Sequence, residues 1–186
     1  MNRKIVISPK NADGYFYFRP LSSGTACGSF DCGVAEYNEY LLLDALRSMN
    51  DHIALTWLLV ERSTEKTAAY MSLIMDAIKL SFSEKELHNL NYPFKTIPAM
   101  KIAKLAVDKS FAERYGGIGS YMIHAAESRA IGCNDVYCAA RFLTVDADIE
   151  HNKDVLAFYG KNGFIPNSEL QNKNRKTISM RKDIYS

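Results

Sequence analysis

Two groups of residues have the types and spacing to do chemistry. The first is Arg114-Tyr115-Gly116-Gly117-Ile118-Gly119-Ser120, between the strand-like run Ala103-Lys104-Leu105-Ala106-Val107-Asp108 and an apolar pattern of helical period that Gly132 is expected to stop. A helix opens with unpaired N–H groups at the positive end of its dipole, so such a turn can hold an anion, and glycines let the backbone come close to it. Arg114 adds a permanent charge with forked donors suited to phosphate oxygens. The second group is Asn152 and Tyr159, seven residues apart. On one helix that is about two turns, which places both on one face. A phenol donates and accepts hydrogen bonds and holds its proton to about pH 10. Taken alone, the glycines also suit a plain turn, and the tyrosine plain packing.

The elements that must position these groups follow from the hydrophobic pattern. Tyr15 to Leu21 reads as an aromatic strand that Pro20 confines to an edge or an end. Val34 to Leu46 reads as an amphipathic helix or a bent pair, covering a sheet face. Ile53–Val60 and Ala68–Met75, joined by the charged turn Glu61 to Lys66, read as a hairpin buried on both faces. Ser81 to Pro98 is a polar excursion with Ser83 at a helix start. Lys109 to Glu113 reads as a short polar crossing and Val136 to Val145 as a central strand. A short helix then runs from Asn152 to Lys161, closed by Asn162-Gly163, with strands at Phe164 and at Thr177–Met180 and a polar loop over Asn167–Lys176 between them.

The 186 residues suit one domain spanning 1–186, with a sizeable core. A hydrophobic share of 47% and a charged share of 24% are those of a soluble globular protein. The net charge of +2 does not announce nucleic-acid binding. No apolar run is long enough to span a bilayer and Met1 to Lys4 lead into no signal-like segment, so no membrane partner and a cytoplasmic location are expected. The four cysteines form two pairs, Cys27 with Cys32 and Cys133 with Cys138, without the ligand-rich context of a metal site; reduced structural thiols and no metal are expected. An ATP-type phosphate loop is disfavoured because no Lys-Ser or Lys-Thr follows the glycines.

Together the two groups resemble the GNAT superfamily of acyl-CoA-dependent N-acetyltransferases. Arg114, Gly117 and Gly119 match its phosphate-loop pattern, and Asn152, Tyr159, Gly163 and Phe164 match its later pattern. The resemblance covers roughly Ala54 to Met180. It implies an α+β fold, a central, mostly antiparallel twisted sheet flanked by helices, in which the strand ending at Asp108 and the strand ending at Val145 splay apart. It further implies that acetyl-CoA enters that opening, its pantetheine pairing with the backbone of Leu105, Ala106 and Val107 and its pyrophosphate lying on the N–H groups of Arg114, Tyr115, Gly116, Gly117, Ile118, Gly119 and Ser120. Asn152 and Phe158 would face the cofactor's arm, and Tyr159 would protonate the departing thiolate.

Within the superfamily the sequence looks closest to the TacT-like branch, whose members include toxins that acetylate aminoacyl-tRNA. Phe30-Asp31-Cys32-Gly33, Ala103 to Asp108, and Val145-Asp146-Ala147 with Ala157-Phe158-Tyr159 carry that likeness. Lys104 departs from it, standing where the branch commonly has arginine. The branch implies aminoacyl-tRNA and a small antitoxin as partners, with a homodimer among the expected assemblies; a non-catalytic acyl-CoA-binding module is the bland alternative.

Proton chemistry narrows the acceptor. Acetyl transfer needs a neutral amine, and Ile102 to Val107 carries no carboxylate to serve as base. An α-amine is roughly a tenth neutral at pH 7, whereas a lysine amine is neutral in only about 4 parts in 10,000. An α-amine acceptor is therefore expected. Asp108, Asp146, Asp148 and Glu150 could act through water, but read more simply as strand-end and cap carboxylates, and His124 and His151 as packing or surface histidines.

Overall fold

The computed structural model describes residues 4–167 and 176–186. Most of the expected loop Asn167–Lys176 lies outside them. Strand β1 (Ile5–Val6) is followed by β2 (Phe16–Pro20) and a helical stretch of α1 (Ala35–Glu39), a π-helical turn (Tyr40–Asp44) and α2 (Ala45–Asn50). Then come β3 (Leu55–Glu61), β4 (Thr67–Lys79), α3 (Phe82–Leu87), β5 (Thr96–Val107), α4 (Lys109–Arg114), β6 (Tyr115–Gly116) and α5 (Ile118–Val136). The chain ends with β7 (Phe142–Asp148), α6 (Val155–Lys161), β8 (Ile165–Pro166) and β9 (Thr177–Asp183).

The chain divides into two compact units, one of residues 1–74 with Ala103–Ala125, the other Met75–Ile102 with Ala126–Ser186. In the first, β2 is the edge strand and pairs antiparallel with β3, Pro20 opposite Trp57, as expected for a strand holding proline. β3 and β4 form the expected antiparallel hairpin, with a bulge at Leu59/Val60. Leu58, Leu59, Val60 and Ala68 through Met71 are fully buried, so this part of the hairpin lacks the alternation of a half-exposed sheet, which appears in β4 only beyond Leu73, where Met75, Ala77 and Lys79 are exposed. The α1–α2 stretch lays Leu41 and Ala45 on Leu58, Val60, Tyr70 and Ala106. The π-helical turn within it, one extra residue in the helical repeat, shifts the helical face.

In the second unit, β5 pairs parallel with β7 from Ala99↔Phe142 to Ile102↔Val145. The ladder ends there among the described residues, while β5 runs on to Val107 and β7 to Asp148. β7 is antiparallel to β9 along its whole length, and β9 to β8. The sheet is thus mixed and mostly antiparallel, flanked by helices, as the fold class requires.

Four local expectations are corrected. Lys109 to Glu113 is a helix rather than a polar crossing, and the helix around Ser83 begins one step earlier, with Ser81 as cap. There Ser81 Oγ accepts from Glu84 N at 3.2 Å, and the Glu84 carboxylate accepts from Ser81 N at 2.9 Å, a capping box that leaves neither terminal N–H unpaired. Gly132 does not stop α5. A Cβ there would meet nothing, and an exposed interior glycine costs a long helix only about 1 kcal/mol. Val136 consequently ends a helix instead of beginning a strand. Asn134 then closes the turn, its carbonyl accepting from Ala140 N at 2.5 Å and its amide donating to Ala140 O at 2.8 Å, and β7 starts at Phe142.

The excursion after β4 is held by a buried ionic cluster. Arg181 on β9, 1% exposed, donates through Nη1 to Glu84 Oε1 at 2.7 Å and to Asn167 Oδ1 at 2.8 Å. Its Nε lies 3.3 Å from His88 Nε2, and His88 Nδ1 lies 3.0 Å from Asp183 Oδ2, which also takes Arg141 Nη2 at 2.7 Å. With Nε2 accepting from the guanidinium, the tautomer is fixed with the proton on Nδ1.

Candidate functional site

The glycine-rich turn is built from both sides. β5 ends at Val107, and the next residue is Asp108, whose Oδ1 accepts from Ser110 N (2.9 Å), Ser110 Oγ (2.6 Å) and Phe111 N (3.4 Å), capping α4, while Oδ2 accepts from Asp31 N at 2.9 Å. β6 then pairs parallel with β1, Ile5 opposite Tyr115 and Val6 opposite Gly116. Ile7 N donates to Gly116 O at 2.8 Å. Gly117 has φ of +81°, and a Cβ on it would stand 2.5 Å from Ile7 O. The first helical bond of α5 is Tyr121 N to Gly117 O, so the N–H groups of Ile118, Gly119 and Ser120 precede the ladder and have no intrahelical acceptor. Gly117→Ala is expected to lower stability by about 1–3 kcal/mol, since both its backbone angle and its space are refused; thermal unfolding checks it.

Arg114 closes α4, half-exposed, with Nη2 3.1 Å from Glu61 Oε1. Its guanidinium lies over the Phe111 ring at 4.5 Å and the Tyr115 ring at 5.3 Å. Glu61 also takes the Tyr115 hydroxyl at 2.9 Å and Thr64 Oγ1 at 2.7 Å. Burial pushes the Glu61 carboxyl up, but these donors and the Arg114 charge outweigh it and hold the group below its ordinary value. Burial, then the Glu61 bond, pushes the Tyr115 phenol up. Arg114 is thus oriented by a buried carboxylate, a partner that the sequence, with Glu61 in a charged turn, did not disclose.

On the same unit, Ala106 is buried while Leu105 and Val107 are partly exposed. Lys104 Nζ meets Glu36 Oε1 at 2.6 Å and lies 4.6 Å from the Tyr37 ring centre. A carboxylate therefore does stand beside this strand, contributed by α1. No local pattern could reveal it, because the partners are 68 residues apart.

In the second unit, Tyr159 lies on α6, 6% exposed, its ring edge-to-face with Phe158 at 5.1 Å and Phe164 at 5.3 Å. Its hydroxyl makes no hydrogen bond among the described residues. Burial pushes this phenol well above its ordinary range, and the Asp148 charge adds to the shift. Asn152 corrects an expectation: it precedes α6, and the two-turn spacing to Tyr159 does not apply. Its Oδ1 accepts from Asp154 N at 2.9 Å and its carbonyl from Val155 N at 3.3 Å, since asparagine satisfies backbone two residues on more readily than it joins a helix. Phe158 is partly exposed, its carbonyl accepting from Asn162 Nδ2 at 2.8 Å.

The remaining carboxylates are engaged. Asp146 holds Lys101 at 2.6 Å, Glu150 holds Lys176 at 3.0 Å, and Asp148 accepts from Glu150 N and His151 N with His151 Nδ1 at 2.8 Å. His124 is exposed on α5. Cys27 and Cys32 are separate thiols, and the Cys133 and Cys138 sulfurs lie 3.2 Å apart. No three His, Cys, Asp or Glu side chains gather as a metal site among the described residues, and no helix there is long and apolar enough to cross a membrane.

No protein-family model and no curated protein matches the chain. Solved structures do. A tyrosine-to-phenylalanine variant of KacT superposes with a TM-score of 0.72 at 20% identity, covering 90% of this chain and 95% of that one. AtaTR bound with acetyl-CoA gives 0.68 at 22% identity, covering 90% and 94%. AtaT complexed with acetyl-methionyl-tRNAfMet gives 0.67 at 20% identity, covering 88% and 93%. The chain thus has the GNAT fold of these toxins along nearly its whole length.

Proposed function

We propose that this chain is a single-domain acetyl-CoA-dependent N-acetyltransferase, in which a primary amine attacks the thioester directly. The observation that carries the reading is Tyr159: a buried phenol on α6 whose hydroxyl has no hydrogen-bond partner among the described residues and carries its proton at neutral pH, so it is available to donate to a departing thiolate. The other roles follow the resemblance. The N–H groups at Ile118, Gly119 and Ser120, with Arg114 beside them, take the pyrophosphate, a use that helix N-termini favour. Leu105, Ala106 and Val107 offer backbone to the pantetheine; in support, the β5–β7 ladder covers only Ala99 to Ile102. Asn152 and Phe158 contact the cofactor's arm.

The acceptor we propose is an α-amine, and specifically the aminoacyl group of a charged tRNA in the cytoplasm, with a small antitoxin and a second copy of the chain as partners. The amine's own proton chemistry supports this, as does the AtaT neighbour, which was solved with acetyl-methionyl-tRNAfMet. The test is brief expression of wild type beside Tyr159→Phe, followed by mass spectrometry of cellular RNA, peptides and metabolites. Acetylated aminoacyl-tRNA with wild type alone supports the full reading. Acetylated peptides or free amines alone replace the acceptor. No acetylated species overturns the enzyme.

A further inference from the structure

We propose that the segment Lys4–Ser8 is a positioning strap for the glycine-rich turn, a role that rests on the acetyl-CoA reading above. Four contacts from this segment converge there. Ile5 and Val6 pair parallel with Tyr115 and Gly116. Ile7 N donates to Gly116 O at 2.8 Å. Ile7 O stands where a Cβ of residue 117 would be, 2.5 Å away. Lys4 Nζ donates to Ala112 O at 2.8 Å, one turn before the glycines. The strap is itself anchored. Asn11 donates through Nδ2 to Val6 O at 2.9 Å and accepts at Oδ1 from Ser8 N at 2.9 Å, and the Ile7 side chain is 3% exposed.

The physical consequence concerns backbone freedom. A run of glycines has the widest conformational choice of any sequence, and an anion site made of N–H groups works only while those groups converge. Each glycine frozen on binding loses backbone entropy, and that loss subtracts from affinity. The strap removes that freedom beforehand: β6 is a strand of two residues, and its parallel neighbour is β1. The side chains of the strap need not touch the ligand. Their effect falls on the part of the cofactor that carries phosphates and not on the thioester end.

That asymmetry supplies the test. Ile7→Pro deletes the N–H that reaches Gly116 O, and Ile7→Val keeps it. KM and kcat are measured with acetyl-CoA and with S-acetylpantetheine, which has the thioester arm but no pyrophosphate. Wild type is expected to prefer acetyl-CoA in KM by about a hundredfold, Ile7→Pro to lose about tenfold of that preference with kcat at saturation nearly unchanged, and Ile7→Val to restore it. If Ile7→Pro does not fold, Asn11→Ala decides, with an expected loss of about threefold in the same ratio. A ratio that stays at the wild-type value in the folded variant overturns the strap. A wild type with no preference between the two thioesters instead overturns the pyrophosphate role of the turn itself, so the two failures are distinguishable.

Discussion

Tyr159→Phe is expected to lower kcat for acetyl transfer by about 10²–10⁴, with CoA affinity within about twofold of wild type. The variant keeps the ring that packs edge-to-face with Phe158 and Phe164. It removes only a hydroxyl that bonds to nothing among the described residues, so thermal stability should hold. Kinetics under saturating acetyl-CoA and calorimetry with CoA separate these effects, and unchanged turnover across several accepted amines would remove Tyr159 as the acid. The sign of the pH dependence follows from burial. The shift is upward, so the proton-bearing form is fully present through neutrality, and loss of the acid sets in only above the ordinary phenol value of about 10. Any alkaline fall in kcat below that belongs to another group. The acidic limb should instead track the acceptor amine, near pH 8 for an α-amine and higher for a lysine.

Arg181→Ala should be among the most destabilising single changes in the chain, at about 3–5 kcal/mol, lowering Tm by on the order of 10 °C. Arg181 is 1% exposed, and its guanidinium is bonded to Glu84, Asn167 and His88. Without it the Glu84 carboxylate stays buried and loses its guanidinium partner, while Ser81 continues to donate to it. The cost comes from the stranded charge rather than from the strength of the pair. The double replacement Arg181→Met with Glu84→Leu is therefore expected to recover much of the loss. Thermal unfolding of the single and double variants tests this, and a double variant no better than Arg181→Ala would assign the loss to packing.

What was legible in the sequence was whatever a short window encodes. The β3–β4 hairpin, the edge placement of Pro20 and the glycine turn entering α5 all follow from period and from residues with special backbone demands. Hydrophobic period misleads where a side chain satisfies backbone locally. Asn134 bridged Ala140 and let α5 run past Gly132, and Asn152 turned onto Asp154 instead of joining α6. Ser81 and Ser83 each have a glutamate three residues on, Glu84 and Glu86, so the motif does not choose between them; the reciprocal bonds form at Ser81 and Glu84. Illegible altogether were the partners set by long-range pairing: Glu61 under Arg114, Glu36 on Lys104, and Ile7 against Gly117. Each joins segments that the sequence separates by dozens of residues, and no charge pattern announces them.

Asp108 carries a further consequence, for how this chain can drift. Its two carboxylate oxygens face Ser110 N, Ser110 Oγ, Phe111 N and Asp31 N, every one of them a donor. Asparagine, the mildest exchange by shape, brings one acceptor and one donor to a place that has use only for acceptors. Whichever way its amide turns, an N–H points at another N–H, either at the cap of α4 or at the loop that carries Asp31. Shape alone would mark this position as tolerant; hydrogen-bond polarity closes it. A lineage could change almost every side chain around the turn and still be held to aspartate there.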